Sequence, residues 1–100
     1  MTLTIKETSE VINDLIEGRL HTATSVQFAQ DMKPLLDNAG KHIVIDCECM
    51  DYISSSGLRL FLSLRKASMA AGGKMTIKNL QEGVKQVFEV TGFVALFEIV

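Results

Sequence analysis

Residues 41–47, Lys-His-Ile-Val-Ile-Asp-Cys, hold a continuous β-branched run, and residues 57–64, Gly-Leu-Arg-Leu-Phe-Leu-Ser-Leu, begin a leucine-dense one. The first, bounded by Gly40 and the acidic Glu48-Cys49-Met50-Asp51, reads as a central strand covered on at least one face. The second reads as a helix that the Gly72-Gly73 pair closes. A strand leading into a helix that returns to another strand is the repeating unit of an α/β domain, in which right-handed crossovers lay the helices against the sheet.

The other segments keep the same alternation. Leu3 and Ile5 share a face in residues 2–7, and residues 11–20 end with Ile16, Gly18 and Leu20 in the same two-residue rhythm. This predicts an N-terminal hairpin turning near residues 8–10. Residues 22–40 change to helical spacing, with Phe28, Met32, Leu35 and Leu36 at i, i+4, i+7 and i+8, Thr24 or Ser25 as N-cap and Gly40 past the end. Pro34 lacks an N–H and crowds the preceding turn, so a kink or a second helix start is expected near Lys33. Residues 74–80 read as a short strand. Val84, Val87, Phe88 and Thr91 form the apolar side of a last helix stopped by Gly92, and residues 95–100 hold a terminal strand. The expected fold is one α/β domain over residues 1–100: a mixed β-sheet, with an N-terminal hairpin followed by largely parallel strands, packed with helices.

Composition excludes several function classes. Hydrophobic residues make up 47% of the chain and there is one proline, which suits a single core rather than a disordered segment. No apolar run approaches the roughly 18 residues that span a bilayer, and the N-terminus has neither a basic start nor an apolar signal core. A soluble cytoplasmic protein without a membrane partner is expected. The net charge of −2, with Lys and Arg scattered along the chain, lacks the footprint of a nucleic-acid binder. Cys47 and Cys49 have no further ligand-type neighbours, and two residues on one strand face do not make a tetrahedral zinc site. They read as buried or half-buried thiols in a reducing compartment, and no metal or cofactor is predicted.

The chemistry concentrates in Tyr52-Ile-Ser-Ser-Ser-Gly-Leu-Arg-Leu-Phe-Leu62. Where a strand leads into a helix, unpaired N–H groups point outward and the helix dipole favours negative charge. A serine there serves as an N-cap, worth about 1 kcal/mol, but capping uses one hydroxyl and not three. A hydrolase nucleophile fails on pattern: Ser-Ser-Ser-Gly-Leu is not G-x-S-x-G, and neither His21 nor His42 comes with a recognisable acid partner. A nucleotide-phosphate loop fails as well, having one glycine and no following lysine.

Residues 43–62, Ile-Val-Ile-Asp-Cys-Glu-Cys-Met-Asp-Tyr-Ile-Ser-Ser-Ser-Gly-Leu-Arg-Leu-Phe-Leu, resemble the central signature of STAS domains, the family of bacterial anti-sigma factor antagonists. That signature runs hydrophobic strand, Asp, a hydrophobic pair and Asp-Ser-Ser-Gly-Leu. Asp46 matches the acid at the strand end, Tyr52 and Ile53 the pair, and Ser54, Ser55, Ser56 and Gly57 fall on Asp, Ser, Ser and Gly. The spacing to Gly72-Gly73, to residues 74–79 and to the Val-Phe-Glu-Val-Thr-Gly-Phe of residues 87–93 agrees, so the resemblance covers essentially the whole chain.

The resemblance implies a non-enzymatic partner-binding protein. Unphosphorylated, it would bind an anti-sigma factor that is also a serine-protein kinase and so free a sigma factor. Phosphorylation would release it, and a serine phosphatase would restore it. Ser56 matches the family's phosphoacceptor and Ser55 is assigned the helix-start hydroxyl. Leu58, Arg59 and the surrounding leucines supply candidate partner surface, beside a polar stripe of Arg59, Ser63 and Lys66. Two positions depart from the family: Ser54 and His21 stand where it usually has acids. The alternative is a STAS binding module with a different signalling partner or a small ligand. A monomer or weak dimer is expected.

Overall fold

The computed structural model describes residues 1–100. β1 (Thr2–Glu7) and β2 (Val11–Leu20) form the expected antiparallel hairpin, its turn closed by Thr8 N–H donating to Val11 O at 2.8 Å. β3 (His42–Ile53) pairs parallel with β2, β4 (Lys74–Lys78) parallel with β3, and the short β5 (Glu98–Ile99) parallel with β4. The five strands therefore lie in the order β1-β2-β3-β4-β5. Three successive right-handed crossovers that all step the same way put every helix on one face of the sheet. α1 (Thr22–Asp31) and α2 (Lys33–Asp37) join β2 to β3, α3 (Ser55–Ala70) joins β3 to β4, and α4 (Glu82–Val90) with a 3₁₀ turn (Phe93–Leu96) leads to β5. The opposite face carries Thr2, Thr4, Lys6, Asn13 and Glu17 in contact with solvent. No helix is long and apolar enough to cross a membrane.

Between sheet and helices, Ile12, Ile16, Leu20, Ile43, Ile45 and Ile77 meet Phe28, Leu35, Phe61, Leu64 and Phe88. An aromatic row crosses this layer: Phe28–Phe61 at 6.0 Å, Phe61–Phe88 at 6.0 Å and Phe88–Phe97 at 5.8 Å between ring centroids. Each such pair adds about 0.5–1.5 kcal/mol beyond area burial, so the row ties α1, α3, α4 and the C-terminus to one another. Pro34 acts as expected: α1 stops at Asp31 and α2 starts at Lys33 with the proline in its first turn, where a missing N–H costs nothing. α2 ends earlier than the expected Gly40, because Asn38 Nδ2 donates to Pro34 O at 2.7 Å and closes the helix there.

The largest departure from the strand pattern lies in β3. The acidic residues 48–51 do not bound the strand; it continues through them to Ile53. Leu15 pairs with Asp46 but Glu17 with Cys49, and Gly18 pairs with Met50 but Arg19 with Tyr52. β3 thus carries one extra residue at each of two places. Each bulge reverses which side chains face the core, so Cys47 is buried whereas Cys49 is exposed, and Met50 and Ile53 return inward. The expectation that both cysteines share a face is corrected on that ground. Asp46 lies mid-strand, where its Oδ1 accepts from Glu48 N at 3.1 Å and from Asn79 Nδ2 at 3.2 Å and pins the first bulge.

Candidate functional site

β2 and β3 run parallel, so their carboxyl ends finish together. Ser54 N–H donates to Leu20 O at 2.8 Å, one step beyond the ladder, and from this point each chain turns into a helix. His21 caps α1 and Ser54 caps α3, so two helix N-termini emerge side by side at one edge of the sheet. Unpaired N–H groups and the positive ends of two dipoles meet there.

At α1 the cap is neither Thr24 nor Ser25, as expected from residue type, but His21. Its Nδ1 accepts from Ala23 N–H at 3.2 Å, while Thr24 Oγ1 accepts from His21 N–H at 3.0 Å, a capping box with imidazole in the acceptor role. Ser25 Oγ donates to His21 O at 2.7 Å, so both hydroxyls brace the cap without being it. Acceptance at Nδ1 requires that nitrogen to be unprotonated.

At α3 the capping duty falls on Ser54, whose Oγ accepts from Gly57 N–H at 3.3 Å. Ser55, assigned that role from the sequence, is exposed and makes no side-chain hydrogen bond; it is the first helical residue, one position too late. Gly57 is required by packing: a Cβ there would lie 2.6 Å from Leu20 Cγ and 2.9 Å from Ile53 Cγ1, inside the buried ends of β2 and β3. Its small size lets the first turn of α3 sit directly on the strand ends.

Ser56 is half-buried on the wall of an open groove of about 400 Å³ between α1 and α3. Thr22, Ser25, Val26 and Ala29 line the α1 side; Ser56, Arg59 and Leu60 line the α3 side. Arg59 lies three residues along from Ser56, hence on the same helix face, is exposed and takes part in none of the chain's ion pairs. Of the α3 leucines, Leu58 and Leu64 are buried with Phe61, while Leu60 and Leu62 are half-buried. Arg59, Ser63 and Lys66 form the expected exposed stripe. Tyr52 stands exposed beside the same edge with the Arg19 guanidinium 4.8 Å from its ring centroid.

The remaining reactive side chains sit elsewhere. His42 Nε2 is 2.7 Å from Thr76 Oγ1, and Thr76 Oγ1 donates to Glu98 Oε1 at 3.2 Å, a chain on the open sheet face that fastens β5. Since Thr76 spends its proton on Glu98, His42 Nε2 is the donor of that pair. Burial pushes the Cys47 thiol far up, with the charges of Asp46 and Asp14 adding to it. Cys49 is raised too, by local desolvation and then by Glu17, Glu48 and Asp46, so neither is an activated thiolate. Motif and spacing do not single out Asp14, which the structure makes conspicuous. It stands between Ile12 and Ile16 on the core face of β2, has no solvent exposure, and neither carboxylate oxygen has a hydrogen-bond partner. Burial, and secondarily the charge of Asp31, lift it from 3.8 to about 7. The two-residue rhythm of residues 12–16 is the signal that places an acid inward. The α1 side of the groove has no such signal, because nothing local marks which face of α1 meets Ser56.

The sequence model of the STAS domain family matches residues 4–100. BtrV of Bordetella bronchiseptica is 28% identical over 99 residues, covering 99% of this chain and 85% of that protein. The anti-sigma-B factor antagonist of Bacillus subtilis is 24% identical over 95 residues, covering 95% of this chain and 86% of that protein. Among solved structures, the anti-sigma factor antagonist SpoIIAA in its unphosphorylated form superposes with a TM-score of 0.73 at 17% identity, over 99% of this chain and 87% of that one. The phosphorylated form of the same Bacillus protein gives 0.72 at 18% identity, over 99% and 91%.

Proposed function

This chain belongs to the STAS domain family, and on that premise we propose that it acts as an anti-sigma factor antagonist, a binding protein released from its partner by phosphorylation of Ser56. The observation that carries the reading is the placement of Ser56. It is the one serine of the three that lines the groove, whereas Ser54 is spent on the cap and Ser55 points to neither.

The partner-binding face combines the exposed Val26 and Ala29 and the half-buried Leu60 with the polar Arg59, an apolar centre with a charged rim. The partner expected from the family is an anti-sigma factor that is also a serine kinase, with a serine phosphatase resetting the switch. Phosphorylation adds about −1.5 to −2 charge at the first turn of α3. In the free protein that charge is tolerated: it faces the first-turn N–H groups, the N-terminus of α1 and the unpaired Arg59. In a desolvated interface it has no such solvation. Leaving a charge unpaired in an interface costs on the order of 3–5 kcal/mol, which is roughly a hundred- to several thousandfold in affinity. The same group is therefore accepted by one state and rejected by the other.

The two family acids replaced here belong to the caps. His21 and Ser54 keep the acceptor role at their helix N-termini without bringing negative charge next to Ser56. The phosphorylated state is accordingly free of carboxylate repulsion from those two positions.

The test begins with the native partner recovered with the protein, before and after phosphatase treatment, and mapping of phosphate by mass spectrometry. Ser56→Ala is expected to keep partner binding and lose phosphate incorporation, and Ser56→Asp to weaken binding at least about tenfold. Phosphate on Ser54 or Ser55, or undiminished binding by Ser56→Asp, refutes the assignment.

A further inference from the structure

We propose that the crevice between the last two turns of α3 and the β4–β5 edge is a binding site for a small amphiphilic carboxylate. It lies at the far end of α3 from Ser56, about 18 Å along the helix axis, and shares no lining residue with the groove there.

The first observation is Ser68. It is 2% exposed and its Oγ has no hydrogen-bond partner, although it lines the crevice. A buried hydroxyl is nearly always paired, and a helical serine has the carbonyl four residues back within reach; Ser63 uses that bond, at 3.0 Å to Arg59 O. Ser68 does not, which leaves its O–H without an acceptor behind the wall of the crevice, where a small side-chain shift would bring it to a ligand. The second is Arg65, three residues earlier and therefore on the same helix face. It is half-buried and unpaired, since the ion pairs of the chain use Lys33, Lys41 and Lys74. Lys74 lies on the opposite wall, its Nζ 3.3 Å from Glu98 Oε2 in an exposed ion pair, and its ammonium carries three donors.

Two cations and an unpaired hydroxyl call for an anion with at least two acceptor oxygens, and a planar carboxylate matches the guanidinium fork. A helix C-terminus ordinarily repels an anion. Here the terminal carbonyls of Ala67, Ser68 and Met69 are taken by the N–H groups of Ala71, Gly73 and Gly72, so they are not directed at the crevice. The other lining side chains, Met69, Met75, Leu96 and Phe97, are apolar, and Met69 and Leu96 are exposed with nothing covering them. Inorganic phosphate or sulfate would leave that wall unused. The crevice, about 240 Å³ and open on one side, has room for a ligand on the order of ten non-hydrogen atoms, the size of octanoate. A ligand of that size in an open crevice binds with a Kd on the order of 0.1–1 mM.

The experiment is a titration of the ¹⁵N-labelled full chain with sodium octanoate, octanol and sodium phosphate, followed by amide shifts. Saturable shifts at Arg65, Ser68, Lys74 and Phe97 with octanoate are expected, with octanol and phosphate each at least about tenfold weaker. Arg65→Gln and Ser68→Ala should weaken octanoate by about tenfold or more while leaving the amide spectrum around Ser56 in place. No saturable shift at those four amides by about 5 mM, or equal binding of octanol and octanoate, overturns the site. Tighter binding of a short peptide ending in a free apolar C-terminus overturns the assignment to a small free acid. All these comparisons on the unmutated chain stand even if a variant fails to fold, and none depends on the role of Ser56.

Discussion

Replacing Asp14 by asparagine removes an ionisable group from the core while keeping its shape, and its effect should depend on pH in one direction only. The carboxyl is buried under α1 and shifted from 3.8 to about 7, by burial first and by the Asp31 charge second. The folded chain therefore holds this proton more tightly than the unfolded chain does. Between pH 3.8 and about 7 the folded state binds more protons, so stability falls as pH rises through that window. Below it both states are protonated and the stabilising difference is whole; above about 7 both are ionised and it is gone. The gap corresponds to at most about 4 kcal/mol, from about 1.36 kcal/mol per pH unit, against the 5–15 kcal/mol that holds a typical domain together. Asparagine lacks the ionisation but leaves the polar atoms unpartnered, so it isolates the charge from the cost of the missing hydrogen bonds. Urea unfolding of both proteins from pH 4 to 8.5 gives the difference curve, in which the other carboxylates cancel. The Asp14→Asn variant and the native chain should be nearly equal at the acid end, with the variant about 2–4 kcal/mol more stable above pH 7.5. A difference that stays constant across this range would show that Asp14 ionises freely in the folded protein, and the inward placement would be wrong.

Three further outcomes follow from the site geometry. Ser54→Ala should cost about 1 kcal/mol in chemical denaturation and Ser55→Ala close to nothing; the reverse order would restore the capping role to Ser55. Gly57→Ala should destabilise by about 1–3 kcal/mol, because Leu20 and Ile53 have no space to yield, and an unchanged midpoint would show that the strand ends can relax. A thiol reagent at neutral pH should modify Cys49 slowly and Cys47 only once the chain unfolds, since both thiols are held protonated but only Cys49 is exposed. Equal rates in the folded protein would place both on the same face of β3.

Much of the architecture was legible because short-range periodicity and tertiary packing agree. The hairpin of residues 2–20, the break at Pro34, the stop at Gly92 and the switch from strand to helix at residues 53–55 each follow from one or two local residues whose backbone preferences leave few alternatives. β3 shows where this ends. A bulge is invisible to a two-residue rhythm, because whether an extra residue is accommodated depends on the register of β2, which is remote in sequence. The caps show the same limit at finer scale: Thr24, Ser25, Ser54 and Ser55 all have the chemistry of an N-cap, and the phase at which each helix leaves its strand chooses among them.

Residue types and spacings along the chain were enough for the fold class and the serine-bearing junction, since both are local or periodic properties, and the family followed from the resemblance of residues 43–62 to a known signature. The assembled molecule was needed to tell which serine caps and which lines the groove, to make His21 the cap of the neighbouring helix, and to set α1 as the other wall beside Ser56. Those are distances between segments remote in sequence, fixed by the parallel pairing of β2 with β3 that brings both helix starts to one edge of the sheet.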